Sequence, residues 1–187
     1  MSTDATGANA RPAALDAGPL GYLALGLTLL AYGLLQTGIL SHTGVADAAG
    51  FAHVVGGIAL FVAGLWQFRA GDSFNGTAFA GLGAFWVAWA AGGLGADRHG
   101  AGLFLLLWAL LALTLAVASW QAGLFSRGVY ALLTISLLLA MVGTWSHTDG
   151  LVKAAGWVAA VAGLVSWYWA TAALTNNSWG RAALPVK

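Results

Sequence analysis

The sequence predicts an all-α, polytopic membrane protein with six transmembrane helices, and three observations carry that prediction. Charged residues make up only 7% of the 187, against 60% hydrophobic. A soluble domain carries about a quarter charged residues, so this chain has too few to cover a water-facing surface. Mean hydropathy is +0.82. The apolar residues also fall into six runs near the roughly 20 residues that cross a bilayer as a helix. The runs are continuous rather than alternating ten-residue segments, which favours helices over a β-barrel.

Residues 1–18 are polar or small and include Asp4, Arg11 and Asp16. They are expected to form a cytoplasmic N-terminal segment and not a cleaved signal peptide, because the first apolar run is long enough to span. Residues 19–174 form the expected six-helix domain, and 175–187 a cytoplasmic C-terminal tail. The runs are Pro19–Leu40, Gly50–Phe68, Gly76–Ala96, Ala101–Gln121, Gly128–Ser146 and Lys153–Leu174. The breaks between them hold nearly every charge: Asp47; Arg69 and Asp72; Asp97 and Arg98; Arg127; Asp149 and Lys153. Such short breaks make neighbouring helices antiparallel.

Arg11, Arg69, Arg127, Arg181 and Lys187 fall on one side, and Arg98 and Lys153 on the other. The positive-inside rule then places both termini in the cytoplasm, in a multi-pass protein of the cytoplasmic membrane. Trp66, Trp120, Trp145, Trp157 and Trp179 sit near run ends, where indoles favour the interface. Trp86, Trp89 and Trp108 lie deeper and are expected to pack between helices or line a path. Ala80, Ala84 and Ala88 form one small-residue stripe, and Ala155, Ala159 and Gly163 another. Stripes of this kind let helix backbones approach closely in lipid, and several on one small protein suit self-association.

The chemistry on offer is sparse. There is no cysteine, and a net charge of +1 gives no reason to expect nucleic acid as a partner. No buried carboxylate pair, HExxH, nucleophile elbow or phosphate loop appears, so neither catalysis nor a metal or other cofactor is expected. His53, three residues into the second run, is the one clear ionisable residue in the interior. It reads either as a pH-responsive group at a pore mouth or as an interfacial histidine bonded to backbone or headgroup. Thr28, Tyr32 and Gln36 recur every four residues on one face of the first helix. Tyr130 and Thr134 share a face of the fifth, with Thr144 farther along. Threonine can satisfy its hydroxyl on its own helix, so each is structural taken singly; the stripe of three either lines a solvated path or packs.

Several blocks resemble a known family. They are Gly18-Pro19-Leu20-Gly21, then Ala63-Gly64-Leu65-Trp66-Gln67-Phe68-Arg69-Ala70-Gly71-Asp72-Ser73-Phe74 running into Thr77-Ala78-Phe79-Ala80-Gly81-Leu82-Gly83-Ala84-Phe85-Trp86. Ala155-Gly156-Trp157 and Trp179-Gly180-Arg181-Ala182-Ala183-Leu184-Pro185 complete the set. Over about Gly18 to Pro185 the chain is similar to the acetate uptake transporter family, and the third-helix block is the most specific part. The resemblance implies six helices, cytoplasmic termini and a hexameric ring with one pathway per protomer. It also implies transport of acetate, with succinate as a further substrate, by proton symport or as an anion channel. The family's hydrophobic constriction, carried over by position, falls on Leu25, Leu82 and Leu133. Two departures stand out. Asp16-Ala17-Gly18-Pro19 replaces an Asn-Pro-x-Pro pattern, and leucine replaces an aromatic residue and a tyrosine at the first two constriction positions.

A carboxylate is costly to bury without partners, and no lysine or arginine lies deep in these helices. The first-helix start at Pro19–Gly21 is one place an anion could be bound. Alternatively the solute passes three leucines as the neutral acid, through a constriction that gates by dewetting. Pro19, Gly21, Thr28, Tyr32, Thr134 and Thr144 are the candidate lining on either side. The leading expectation is therefore a carrier or channel for acetate and similar short carboxylates. The alternatives are a channel for a small neutral solute such as urea or ammonia, and a membrane scaffold with no pathway.

Overall fold

Six helical segments follow one another in the structure, a computed structural model that describes residues 16–40, 50–93 and 96–185. Asp4, Arg11, Asp47 and Lys187 lie outside the described residues, as does most of the polar segment before Gly18. Helix α1 is Gly18–Thr37. Helix α2 opens as a π-helix over Ala52–Ala59 and continues as α-helix over Leu60–Ala70. Helix α3 is Ser73–Ala88, extended by a π turn over Trp89–Gly93. Helix α4 is Arg98–Ala118 with a closing 3-10 turn Ser119–Gln121. Helices α5 and α6 are Leu124–Ser146 and Asp149–Trp179. All regular structure among the described residues is helical, as expected.

Five of these helices are long and apolar enough to cross a membrane. The exception is α3, whose α-helical part has 16 residues and which gains its remaining length from the π turn. Every predicted run falls on one helix. The largest boundary difference is at α6, which has 31 residues and continues to Trp179 rather than stopping at Leu174. One of the polar residues there, Asn176, has local partners. The Asn176 side chain accepts from the amides of Ala183 and Leu184 and donates to the Leu184 carbonyl, folding the last residues back on the helix.

Carboxylates at the breaks start the next helices. Asp72 accepts from the Asn75 amide at 2.9 Å and Asp97 from the Gly100 amide at 2.7 Å. Each satisfies one of the amides that a first turn leaves free. Asp97→Ala should therefore lower stability by about 1 kcal/mol, read as a lower unfolding midpoint in detergent.

The helices meet at small residues. Along α1 and α6 the backbones touch at two reciprocal pairs, Gly26 with Gly163 and Gly33 with Gly156. Between α2 and α3, Gly64 lies against the backbone of Ala80, and Gly83 against that of Phe61. Ala155, Ala159 and Gly163 are buried, as their stripe predicted, whereas of Ala80, Ala84 and Ala88 the last is exposed. Trp86 and Trp89 are buried in the bundle, and the five tryptophans near run ends are all exposed at its surface. Bundle interior and lipid-facing skin thus both follow the apolar pattern.

Candidate functional site

The starts of α1, α3 and α5 lie at one end of the bundle, here the near end; Tyr32, Trp89 and Thr144 lie towards the far end. Between them, Leu25, Leu82 and Leu133 are at most 3% exposed and belong to a single buried cluster. Each comes from a different helix, α1, α3 and α5, so the structure brings the three predicted constriction residues into one core.

On the far side of the leucines is a cavity of about 150 Å³ lined by Tyr32, Gln36, Trp89, Ala101, Phe104, Leu105 and Thr144. Gln36 donates its Nε2 to the Tyr32 hydroxyl at 3.1 Å. The Tyr32 ring meets Trp86 and Trp89 edge-on, with centroids 5.4 Å away in both cases. Thr144 also borders a more polar cavity of about 390 Å³, shared with Arg98, Gly143, His147, Asp149 and Val152. Thr144 is the one lining residue that the charged surface recess and the aromatic cavity share.

The predicted polar stripe on α1 therefore divides. Tyr32 and Gln36 line the far cavity, but Thr28 is fully buried and donates to the Ala24 carbonyl at 2.7 Å. Its methyl and hydroxyl fill the space beside Gly56, where a Cβ would come within 2.5 Å of Thr28 Cγ2. Thr134 and Thr144 do the same on α5, donating to Tyr130 and Ala140 carbonyls at 2.8 and 2.7 Å. A hydroxyl that has given its proton to the preceding turn retains only acceptor lone pairs. None of the three threonines offers an anion a free donor.

The start of α1 is likewise already engaged. Asp16 Oδ1 accepts from the Gly18 amide at 2.8 Å and from Gln67 Nε2 at 3.0 Å. Pro19 has no N–H to give, and the Gly21 amide donates to the Ala17 carbonyl at 3.0 Å. The anion that this helix terminus favours is the protein's own carboxylate. Gly21 is needed for a different reason: the Phe79 ring packs flat against it, within 2.6 Å of where a Cβ would stand. His53 is half-buried in the π-helical turn of α2 and lines neither cavity.

The near side holds a set of hydroxyls of which the sequence singled out only Tyr130. Tyr22 donates to Asn75 Oδ1 at 3.2 Å and lies 3.0 Å from Ser126 Oγ. Asn75 in turn donates Nδ2 to Asp72 at 2.6 Å. Tyr130 is fully buried; its hydroxyl meets no partner at strict hydrogen-bond geometry, and the Tyr22 hydroxyl beside it is the group it pairs with. Trp86 Nε1 is another buried donor without a partner. Tyr22 precedes Leu25 by three residues and Tyr130 precedes Leu133 by three, so both lie one turn along the same helix faces. That spacing was the available signal.

Buried donors are nearly always paired in folded proteins. Here two such donors, the Tyr130 hydroxyl and Arg127 Nε, lie on the near side, and a third, Trp86 Nε1, stands beside Tyr32 on the far side. The arrangement suits a small solute bearing an oxygen acceptor.

Comparison with known proteins points the same way. The family described as the GPR1/FUN34/yaaH family matches residues 5–186. The succinate-acetate/proton symporter SatP of Escherichia coli (strain K12) is 29% identical over 176 residues, covering 90% of this chain and 93% of that protein. Ammonia transport outward protein 2 of Saccharomyces cerevisiae is 25% identical over 172 residues, covering 85% of this chain and 61% of that protein. The solved structure of the bacterial acetate channel SatP superposes with a TM-score of 0.85 at 26% identity, over 92% of this chain and 99% of that one.

Proposed function

Because the chain belongs to the GPR1/FUN34/yaaH family, we propose that it carries acetate and related short carboxylates, succinate among them, across a membrane. The route runs from the recess at Arg98 and His147, past Thr144, Tyr32 and Gln36, through Leu25, Leu82 and Leu133, to the hydroxyls of Tyr22 and Tyr130. Thr28 and Thr134 shape its wall, and Pro19 and Gly21 set the helix that forms its near mouth. The observation that carries this reading is the sequence of surfaces: polar cavity, three buried leucines, polar cluster, in that order along α1 and α5. A scaffold has no need of unpaired donors on both sides of an apolar plug.

The basic residues support cytoplasmic termini, which puts the far cavity outside and the hydroxyl cluster inside. Exposed apolar residues such as Leu107 and Val117 support burial in lipid or against further copies, and a hexamer is the assembly the family resemblance favours. A second reading, passage of ammonia, draws on the name of the yeast relative and on the apolar constriction at Leu25, Leu82 and Leu133.

Radiolabelled acetate uptake into liposomes tests the proposal, run about three pH units above an acid pKa of roughly 4 to 5 so that little neutral acid leaks through lipid. Saturable uptake above empty liposomes, reduced by unlabelled acetate and not by ammonium, is the expected result. Ammonium-sensitive uptake, or none from folded protein, would favour the second reading.

A further inference from the structure

The two far cavities differ in charge. The aromatic one is lined by hydroxyls and one amide, with no residue charged at neutral pH, whereas Arg98, His147 and Asp149 all line the recess of about 390 Å³. Three helix ends enclose that recess, and close contacts hold them together. Gly102 of α4 lies against the Trp145 indole at the end of α5, and Gly143 of α5 lies against Val152 at the start of α6. The turn from α5 into α6 closes in the left-handed conformation at His147, with φ 56°, and the Thr148 amide donates to the Gly143 carbonyl at 3.0 Å. Glycine is the usual residue at such a position. A histidine there adds an imidazole to the wall of the recess.

Arg98 is the one lysine or arginine among the residues lining either cavity. Its guanidinium carries five N–H donors in a plane, which matches the two oxygens of a carboxylate. Among the described residues it forms no ion pair. Its neighbour Asp97 directs Oδ1 to the Gly100 amide at 2.7 Å, so that carboxylate is engaged in starting α4. Asp149 is the opposing charge within the recess. It stands one turn before Lys153 on α6, a spacing at which carboxylate and ammonium attract. Discrimination by charge on this side of the leucines therefore falls to the recess and not to the cavity beneath it.

We infer that the far recess is a capture site for a carboxylate anion, with Arg98 selecting it by charge and Asp149 limiting how tightly it is held. The inference rests on the transport reading above and adds to it a residue that sets affinity apart from the leucines that set rate. Charges at the rim of a site act chiefly on encounter and on its salt dependence, and that is the signature to look for.

Initial rates of labelled acetate uptake, in vesicles with the far end outward and at one fixed pH, test it. Arg98→Gln should raise KM about fivefold, the scale of one exposed charge contact. It should leave kcat unchanged, as expected when a contact is lost equally from the bound solute and from the solute in passage. Arg98→Lys keeps the charge and should recover part of the affinity, and Asp149→Asn should lower KM. Between salt concentrations of about 0.01 and 0.1 M the screening length falls from about 30 to about 10 Å. Over that range KM should rise for wild-type protein and hardly at all for Arg98→Gln. Arg98 is exposed, so the unfolding midpoints of its two variants in detergent should match wild type. An unchanged KM in Arg98→Gln, or a fall in kcat alone, would overturn the capture site while leaving acetate transport standing. Wild-type protein that takes up no acetate would overturn both.

Discussion

Replacing Gly33 with leucine should abolish the fold, and Gly33→Ala should already be destabilised. A Cβ at Gly33 would stand 2.5 Å from the Ala160 amide nitrogen and 2.5 Å from the Gly156 carbonyl oxygen. Both are backbone atoms of α6 and cannot rotate away. At the second crossing the relation is reciprocal: a Cβ at Gly163 would be 2.6 Å from the Leu30 nitrogen, and one at Gly26 would be 2.7 Å from the Trp167 nitrogen. The glycines are seven residues apart on each helix, so both pairs lie on one face, and α1 and α6 touch along two turns. Without a hydrophobic drive between helices in lipid, such contact is a main source of association. Overpacking costs about 1 to 3 kcal/mol or more. For alanine this is partly offset by a helix preference of about 1 kcal/mol over glycine; leucine adds three further carbons with nowhere to go.

Unfolding midpoints in detergent, followed by tryptophan emission, would measure this. Gly128→Ala is the control, since nothing stands within 4 Å of its Cβ position; it should hold or raise the midpoint. An unchanged midpoint for Gly33→Leu would mean that the α1–α6 crossing does not hold the bundle together.

Small residues at fixed spacing made one side of this contact legible in the sequence, because the period of a helix turns Ala155, Ala159 and Gly163 into a single face. The partner glycines on α1 were not distinguishable from the other glycines of the chain, since a spacing of seven has meaning only once the facing helix is known. The helices themselves were legible from hydropathy, whereas the π-helical opening of α2 was not: it leaves the apolar composition unchanged and depends on hydrogen-bond register. At α6 the polar residues after Leu174 looked like a tail, because their partners, the amides of Ala183 and Leu184, lie farther along the chain. Of the proposed route, the three leucines, Tyr32 and Thr144 were legible in the sequence. Tyr22, Asn75 and Ser126 escaped notice because none belongs to a polar stripe on its own helix, and the cluster exists only after α1, α3 and α5 are brought together.

Leu82→Ala should raise acetate flux, by about tenfold. Leu82 is 2% exposed within the cluster that contains Leu25 and Leu133, and nothing in that cluster can hydrogen-bond a passing solute from the leucine side chains. The barrier there is the cost of bringing a polar group, with or without water, into an apolar gap. Removing three carbons from one of its walls widens the gap and lets water in, and each 1.4 kcal/mol taken off the barrier is about a factor of ten in rate. The same truncation removes buried apolar surface, at about 2 to 5 kcal/mol of stability, so a faster variant should also be a less stable one. That opposition makes the prediction specific, because mere damage would lower both quantities. Leu107→Ala, on the exposed face of α4, should change neither appreciably. Initial rates of labelled acetate uptake, normalised to folded protein in each liposome preparation, separate the cases. If Leu82→Ala loses stability with no gain in rate, the narrowest point lies elsewhere, and the hydroxyl cluster at Tyr22 and Tyr130 becomes the place to look for it. If the rate rises while acetate still competes with itself, the leucines are the gate and the hydroxyls beneath them the site that selects.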